Sequence, residues 1–107
     1  MMISAEKIEK IKQQIVRDFN PIKILLIGSY ASGTQNKNSD LDLLIIKDSD
    51  LPRHRRAFSI RKSLIGNKIP MDILVYTPDE IESEKNENHS FINSALKNAQ
   101  LLYDQSE

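Results

Sequence analysis

Apolar positions along this chain switch between a helical spacing and short continuous runs. Behind Ser4, a hydroxyl suited to capping, Ile8, Ile11, Ile15, Val16 and Phe19 recur at three- and four-residue intervals, while Glu6, Lys7, Glu9, Lys10, Lys12 and Gln13 mostly fall on the other side. This predicts an amphipathic helix, stopped by Asn20 and Pro21. Residues 22–27 then read as a strand apolar enough to be central in a sheet. Leu41, Leu43, Leu44, Ile45 and Ile46 predict a second strand from 41 to about 47. Helical spacing returns over 52–64, with Ala57, Ile60 and Leu64 as the inner stripe and Gly66 and Asn67 as the stop. A third strand is predicted over 69–76. Thr77, Pro78 and Glu80 then supply a hydroxyl cap, a first-turn proline and a capping-box glutamate for a short polar helix. Residues 86–89 interrupt it. Ser90 caps a last predicted helix, with Phe91, Ala95, Ala99 and Leu102 on one face.

The order of elements constrains their arrangement. The first two strands are joined by too little chain for a crossover, so they are expected to be antiparallel neighbours. The second and third, separated by a helix, are expected to be parallel through a right-handed crossover. The class is expected to be α/β (α+β), and the 107 residues are expected to make a single domain, 1–107, with one core and no room for a separate substrate domain.

Composition narrows the function more by exclusion than by suggestion. Lys plus Arg (15) equal Asp plus Glu (15), so the net field gives no reason to expect general binding to nucleic acid or to a membrane surface. The absence of cysteine rules out disulfides, thiolate metal sites and a thiol nucleophile. No apolar run approaches the roughly 20 residues that span a bilayer, and residues 1–20 are too charged for a signal peptide. The expectation is a soluble, cytoplasmic protein.

The chemistry concentrates between residues 24 and 46, ILLIGSYASGTQNKNSDLDLLII. Asp40 and Asp42 are two residues apart, so strand alternation puts both carboxylates on one face, about 6 to 7 Å apart. A fold tolerates such repulsion and lost hydration when a cation or donor groups sit between the charges. Upstream, Gly28, Ser29 and Gly33 follow the first strand with little side-chain bulk. Backbone amides can approach an anion there, especially if a short helix starts at Ser29. A third aspartate, Asp72, lies in the apolar run MDILVY; if the second and third strands are adjacent, it can lie beside Asp42.

Each feature also has a plainer explanation. Asp40 and Asp42 can be a solvated loop end or a cap after Ser39, and the glycines an ordinary tight turn. What favours chemistry is the combination, because an aspartate inside Met71 to Val75 has no good reason to be buried unless paired, hydrogen-bonded or metal-bound. Two rival motifs fail. Gly28 and Gly33 have P-loop spacing, but Thr34 and Gln35 follow where the lysine should stand. Asn36, Asn38 and Asp40 mimic the start of an EF-hand, but Leu41 replaces its glycine and Lys47 its bidentate glutamate. The basic cluster Arg53, His54, Arg55, Arg56, Arg61 and Lys62 reads as a solvated face or, less readily, as a contact for a triphosphate tail or an acidic partner. Tyr30 either shields the turn or stacks on a base.

GSYASG, SDLDLLI and MDILVY together resemble the minimal nucleotidyltransferases of the DNA polymerase beta superfamily. The resemblance runs from the first helix to the closing ALKNAQLLYD, which is similar to that family's usual last helix. It implies a small mixed sheet flanked by helices, two Mg²⁺ ions, and transfer of a nucleotidyl group from a nucleoside triphosphate, with ATP the expected substrate. By match of motif, Asp40, Asp42 and Asp72 would be the metal-binding, catalytic carboxylates, and Gly28, Ser29 and Gly33 the nucleotide-binding turn. Many members carry arginine where this chain has Ser32. Members often act as antitoxins that adenylylate a HEPN toxin, which implies a small helical partner and a homo- or hetero-oligomer. The alternative is an antitoxin or complex subunit that neutralises its partner by binding alone.

Overall fold

The fold is a computed structural model that describes residues 2–107. Among these residues a four-stranded sheet runs in the order β3-β2-β1-β4, formed by β1 (Lys23–Ile27), β2 (Leu41–Ile46), β3 (Met71–Tyr76) and β4 (Gln100–Asp104). β1 pairs antiparallel with β2 and β4, and β2 pairs parallel with β3. The mixed sheet flanked by helices is thus as expected from the sequence.

Strand alternation divides the core in two. Ile24 and Leu26 of β1, Leu41, Leu43 and Ile45 of β2, and Ile73 and Val75 of β3 pack with α1 (Ala5–Phe19) and α4 (Phe58–Leu64). The alternate positions Ile27, Leu44, Leu74 and Tyr76 face α5 (Pro78–Glu84) and α6 (Phe91–Leu96), meeting Ile81, Ile92, Ala95 and Leu96. Asp42 and Asp72 have the parity of this second side. β2 is covered on both sides, which is why its sequence is a continuous apolar run except at the one aspartate. Fully buried Ile11, Ile15, Ile24 and Ile45 each stabilise the fold by about 1.5–3 kcal/mol.

Local signals act where the sequence puts them. The Ser4 side chain accepts from Lys7 N at 3.1 Å, and Asn20 closes α1 in the left-handed region at φ 48°. The Thr77 capping box is complete. Glu80 within it also joins α5 to the short helix α3 (Arg53–Arg56), accepting from Arg56, from Thr77 N at 2.9 Å and from Arg53 at 3.2 Å. The Arg56 guanidinium, then the Thr77 amide and Arg53, hold the Glu80 carboxyl down from 4.5 to about 2. A carboxyl with a lowered folded pKa stabilises the fold above its unfolded pKa and loses that contribution as pH falls. Glu80→Gln is therefore expected to cost about 1 kcal/mol near neutral pH, discounted for partial exposure. The gap in thermal midpoint between the two proteins should close as pH is lowered from 4.5 towards 2; a gap that stays constant would show that this ion-pair network does not act.

Two predicted elements are corrected. The helix expected over 52–64 is divided into α3 and α4 at Ala57, whose ψ of −10° departs from helical values, although Ala57, Ile60 and Leu64 are all buried as the inner stripe. At the junction Arg56 donates to the carbonyl of Leu51 at 2.8 Å and to that of Val75. The last predicted helix ends at Leu96, and Gln100–Asp104, within the closing ALKNAQLLYD, is strand β4. Ala95, Ala99 and Leu102 satisfy a helical period, but a short apolar run satisfies a strand equally well. The unpaired edge of β1 decides it by offering ladder partners from Lys23 to Leu26.

Candidate active site

The site forms where β1 ends beside the start of β2. Register pairs Ile27 with Asp42, and Gly28 follows at φ 73° and ψ −154°, a region essentially confined to glycine. The space at Gly28 is as restrictive as its backbone. A Cβ added there would overlap the Asp42 Oδ2 and stand 3.1 Å from its Cγ. The Asp42 carboxylate thus lies directly against the turn. After Gly28 the chain enters one short helical turn, α2 (Ser29–Ser32), whose Ala31 and Ser32 amides bond to the Gly28 carbonyl at 3.1 Å. Ser29 opens this turn. Gly33 closes it at φ 79°, its N–H returning to the Ser29 carbonyl, and a Cβ added there would meet nothing within 4 Å.

Parallel pairing sets Asp42 directly opposite Asp72. The β2 start is pinned to β3 by the bond from Leu41 N to the Pro70 carbonyl, 3.0 Å. Burial first, then the Asp72 and Asp40 carboxylates, push the Asp42 carboxyl above its usual range. Asp40 stands just before β2, after a turn closed by Ser39 N on the Asn36 carbonyl at 3.0 Å. Asp72 is the most accessible acid of the pair, with its side chain 55% exposed and Arg61 at 3.4 Å.

Among the described residues no three His, Cys, Asp or Glu side chains converge closely enough to hold an ion between them. The donor set still fits a divalent cation: hard carboxylate oxygens, one of them raised in pKa by burial and like charge, against a turn with no side chain at Gly28.

A cleft of about 420 Å³ opens over Asp42 and Asp72. Gly28 and Ser32 line it on one side and Ile27 and Leu74 form its apolar floor, while Phe91, Ser94, Ala95 and Asn98 form the wall contributed by α6 and the turn after it. Ser29, Gly33 and Asp40 are not among its lining residues. The α6 wall was missed by sequence reasoning, which used Phe91 and Ala95 only as a packing stripe; the exposed polar positions Ser94 and Asn98 on that stripe were the available signal.

Other candidates resolve differently. Tyr30 is buried, and its hydroxyl accepts from Ile3 N at 2.9 Å, so it packs the turn against the N-terminal segment. In the basic cluster, Arg53 stacks 4.1 Å from the Tyr76 ring centroid and bonds Glu84, Arg56 bonds Glu80, and Arg61 reaches both Asp72 and the Ile73 carbonyl. His54, Arg55 and Lys62 are exposed.

Comparison with known proteins agrees with the fold. The family model described as nucleotidyltransferase domain matches residues 8–106. Over 66 residues, 60% of the chain, the sequence is 39% identical to caffeine-induced protein 16 of Schizosaccharomyces pombe, of whose length it spans 6%. Among solved structures it is similar to a protein of Sulfolobus solfataricus described as a nucleotidyltransferase, with a TM-score of 0.65 and 17% identity over 94% of this chain and 79% of that one. It is also similar to a chain of the toxin-antitoxin crystallised with AMP-PNP, with a TM-score of 0.60 and 22% identity over 90% and 73%. At these identities the two structures show the shared fold. Among the described residues no helix is long and apolar enough to cross a membrane.

Proposed function

The chain belongs to the nucleotidyltransferase domain family, and from that premise we propose that it transfers AMP from ATP to a hydroxyl of a partner protein, as an antitoxin acting on a HEPN-type toxin. The observation that carries this reading is the meeting of three features at one cleft: Asp42 opposite Asp72, the Gly28 backbone against the Asp42 carboxylate, and open volume above them. A binding-only protein gains nothing from carboxylates set against each other. The fold shared with the toxin-antitoxin crystallised with AMP-PNP supports an adenine nucleotide and a toxin partner; the HEPN type rests on the sequence resemblance alone.

Asp42 and Asp72, opposite each other at the cleft, would hold Mg²⁺ together with Asp40, whose side chain must first move to converge with them; two ions are the full reading. When bound, the metal supplies charge neutralisation at the phosphates and a lower pKa for the attacking hydroxyl. The rest falls to the chain itself. Gly28 lets the Asp42 carboxylate lie against the turn, and the N–H groups of Ser29 and Tyr30 that open α2, which have no acceptor within it, would meet the phosphates. Gly33 ends α2 so that this turn stays short. Asp72, with its side chain 55% exposed, would serve as the base, provided that its carboxylate reaches the acceptor hydroxyl at hydrogen-bond distance. The acceptor itself would come from another chain, which is why a hetero-oligomer is expected. One observation favours the binding-only alternative: the cleft wall carries Ser32 where many members of the resembled group carry arginine.

The test is a thermal-shift titration with ATP, GTP, CTP and UTP, each with and without Mg²⁺, on the protein and on Asp40→Asn. Ligand at 100 times its dissociation constant adds about 2.7 kcal/mol, and each kcal/mol moves the midpoint of a domain this size by about 4–8 °C. A shift with ATP that needs Mg²⁺ and disappears in Asp40→Asn supports the enzyme. Protection against the partner that survives Asp40→Asn and Asp42→Asn would support neutralisation by contact instead.

A further inference from the structure

The segment from Phe91 to Asn98 contributes more to the cleft than covering the sheet requires. Phe91, Ser94, Ala95 and Asn98 all line it, and their spacing of three, four and seven residues puts them along one side of α6 and the turn that follows. Packing is carried by Ile92, fully buried in the cluster with Ile27, Leu44 and Tyr76. Phe91 is instead 50% exposed, a large apolar ring left half in solvent at the wall of a cleft. Ser94 and Asn98 are exposed beside it, and among the described residues their side chains make no hydrogen bond within the chain.

The cleft therefore has two chemically distinct ends. Asp42, Asp72 and the Gly28 turn supply charge and close backbone approach; the α6 wall supplies a ring, a hydroxyl and a carboxamide, with no ionised group. A nucleoside triphosphate has the same division, a polyanion at one end and at the other a flat neutral base that stacks on aromatics and hydrogen-bonds through its edge. The volume of about 420 Å³ lies within the range of small-molecule clefts, about 300–1,000 Å³.

We propose that the α6 wall is the nucleobase subsite, in which Phe91 stacks on the base and the Asn98 carboxamide pairs with an adenine edge. A carboxamide presents one acceptor and one donor group side by side, the complement of adenine N6 and N7. Guanine offers two acceptors, O6 and N7, on the corresponding edge, which one carboxamide cannot satisfy together. The proposal rests on the nucleotide reading above, and two probes separate its failure from that one.

Isothermal titration of the full chain with Mg²⁺ compares ATP with inorganic tripolyphosphate, which has the phosphates and no base. ATP is expected to bind at least about 10-fold more tightly, the low-to-middle range of a stacked base. Phe91→Ala should remove about that factor for ATP and leave tripolyphosphate unchanged; Phe91→Tyr, which keeps the ring, should bind ATP like the parent. Asn98→Ala should bring ATP and GTP to within about 2-fold of each other. Phe91→Ala that binds ATP normally, or that weakens both probes alike, would overturn the stacking role, and an ATP preference that survives Asn98→Ala would overturn the edge contact. If the parent protein binds neither probe with Mg²⁺, the nucleotide reading falls and takes this subsite with it. Circular dichroism melts of each variant keep the comparison to folded protein.

Discussion

Asp42→Asn is expected to abolish Mg²⁺-dependent nucleotidyl transfer while leaving the protein at least as stable as its parent. The functional loss follows from removing the carboxylate that lies against the glycine turn and opposite Asp72. Losing several kcal/mol of charge stabilisation in the transition state lowers the rate by at least about 10³-fold, at one decade per 1.4 kcal/mol. The stability result follows from the opposite sign of the same electrostatics. Burial, Asp72 and Asp40 raise the folded pKa of Asp42 above its unfolded value, so the ionised group destabilises the fold at neutral pH and ceases to do so as it protonates on acidification. Asparagine has the same shape without the charge and removes that cost. Transfer assays and thermal melts at neutral pH, with Asp42→Asn beside the parent protein, check both halves. A variant that loses activity together with several degrees of midpoint would mean that Asp42 is a structural residue, hydrogen-bonded in its ionised form.

Gly28→Ala should be the most damaging single change in the turn. Two independent penalties act at this position: the backbone at φ 73° and ψ −154°, and a new Cβ driven into the Asp42 carboxylate. The backbone alone costs about 1–3 kcal/mol, which lowers the midpoint by about 4–8 °C for each kcal/mol. Relief of the overlap requires Asp42 to move, so nucleotide binding should fall together with stability. Gly33→Ala is the useful comparison for stability. Its φ of 79° carries the left-handed penalty, about 1 kcal/mol, but nothing lies within 4 Å of the added Cβ. Equal destabilisation by the two alanines, measured by denaturant titration, would show that the approach of Asp42 to Gly28 costs nothing and that the turn is merely a turn.

Much of this architecture is written in the order and period of the apolar residues. The run from Lys23 to Ile27, the short connection and the run from Leu41 to Ile46 leave little choice but antiparallel neighbours, while a helical pattern before Met71 to Tyr76 demands a parallel return. Because strand alternation has a period of two, parallel register then carries Asp42 and Asp72 to one side of the sheet together. The capping signals at Ser4, Thr77 and Ser90 act locally and appear where the sequence puts them.

What the sequence left undecided are the places where two local structures have similar free energy and a distant partner chooses between them. Gln100 to Asp104 fits either a helix or a strand; the exposed ladder groups of β1, more than seventy positions earlier, make it a strand. Arginines that read as a solvated basic face become cross-links because α5 brings Glu80 and Glu84 up to them and β3 brings Asp72. The cleft belongs to the same class. Gly28, Asp42 and Asp72 announce chemistry through residue type and spacing, but Phe91 and Asn98 do so only once α6 is laid across the sheet. Local chemistry is encoded in neighbours along the chain, whereas a wall is made of residues that meet only after the core has formed.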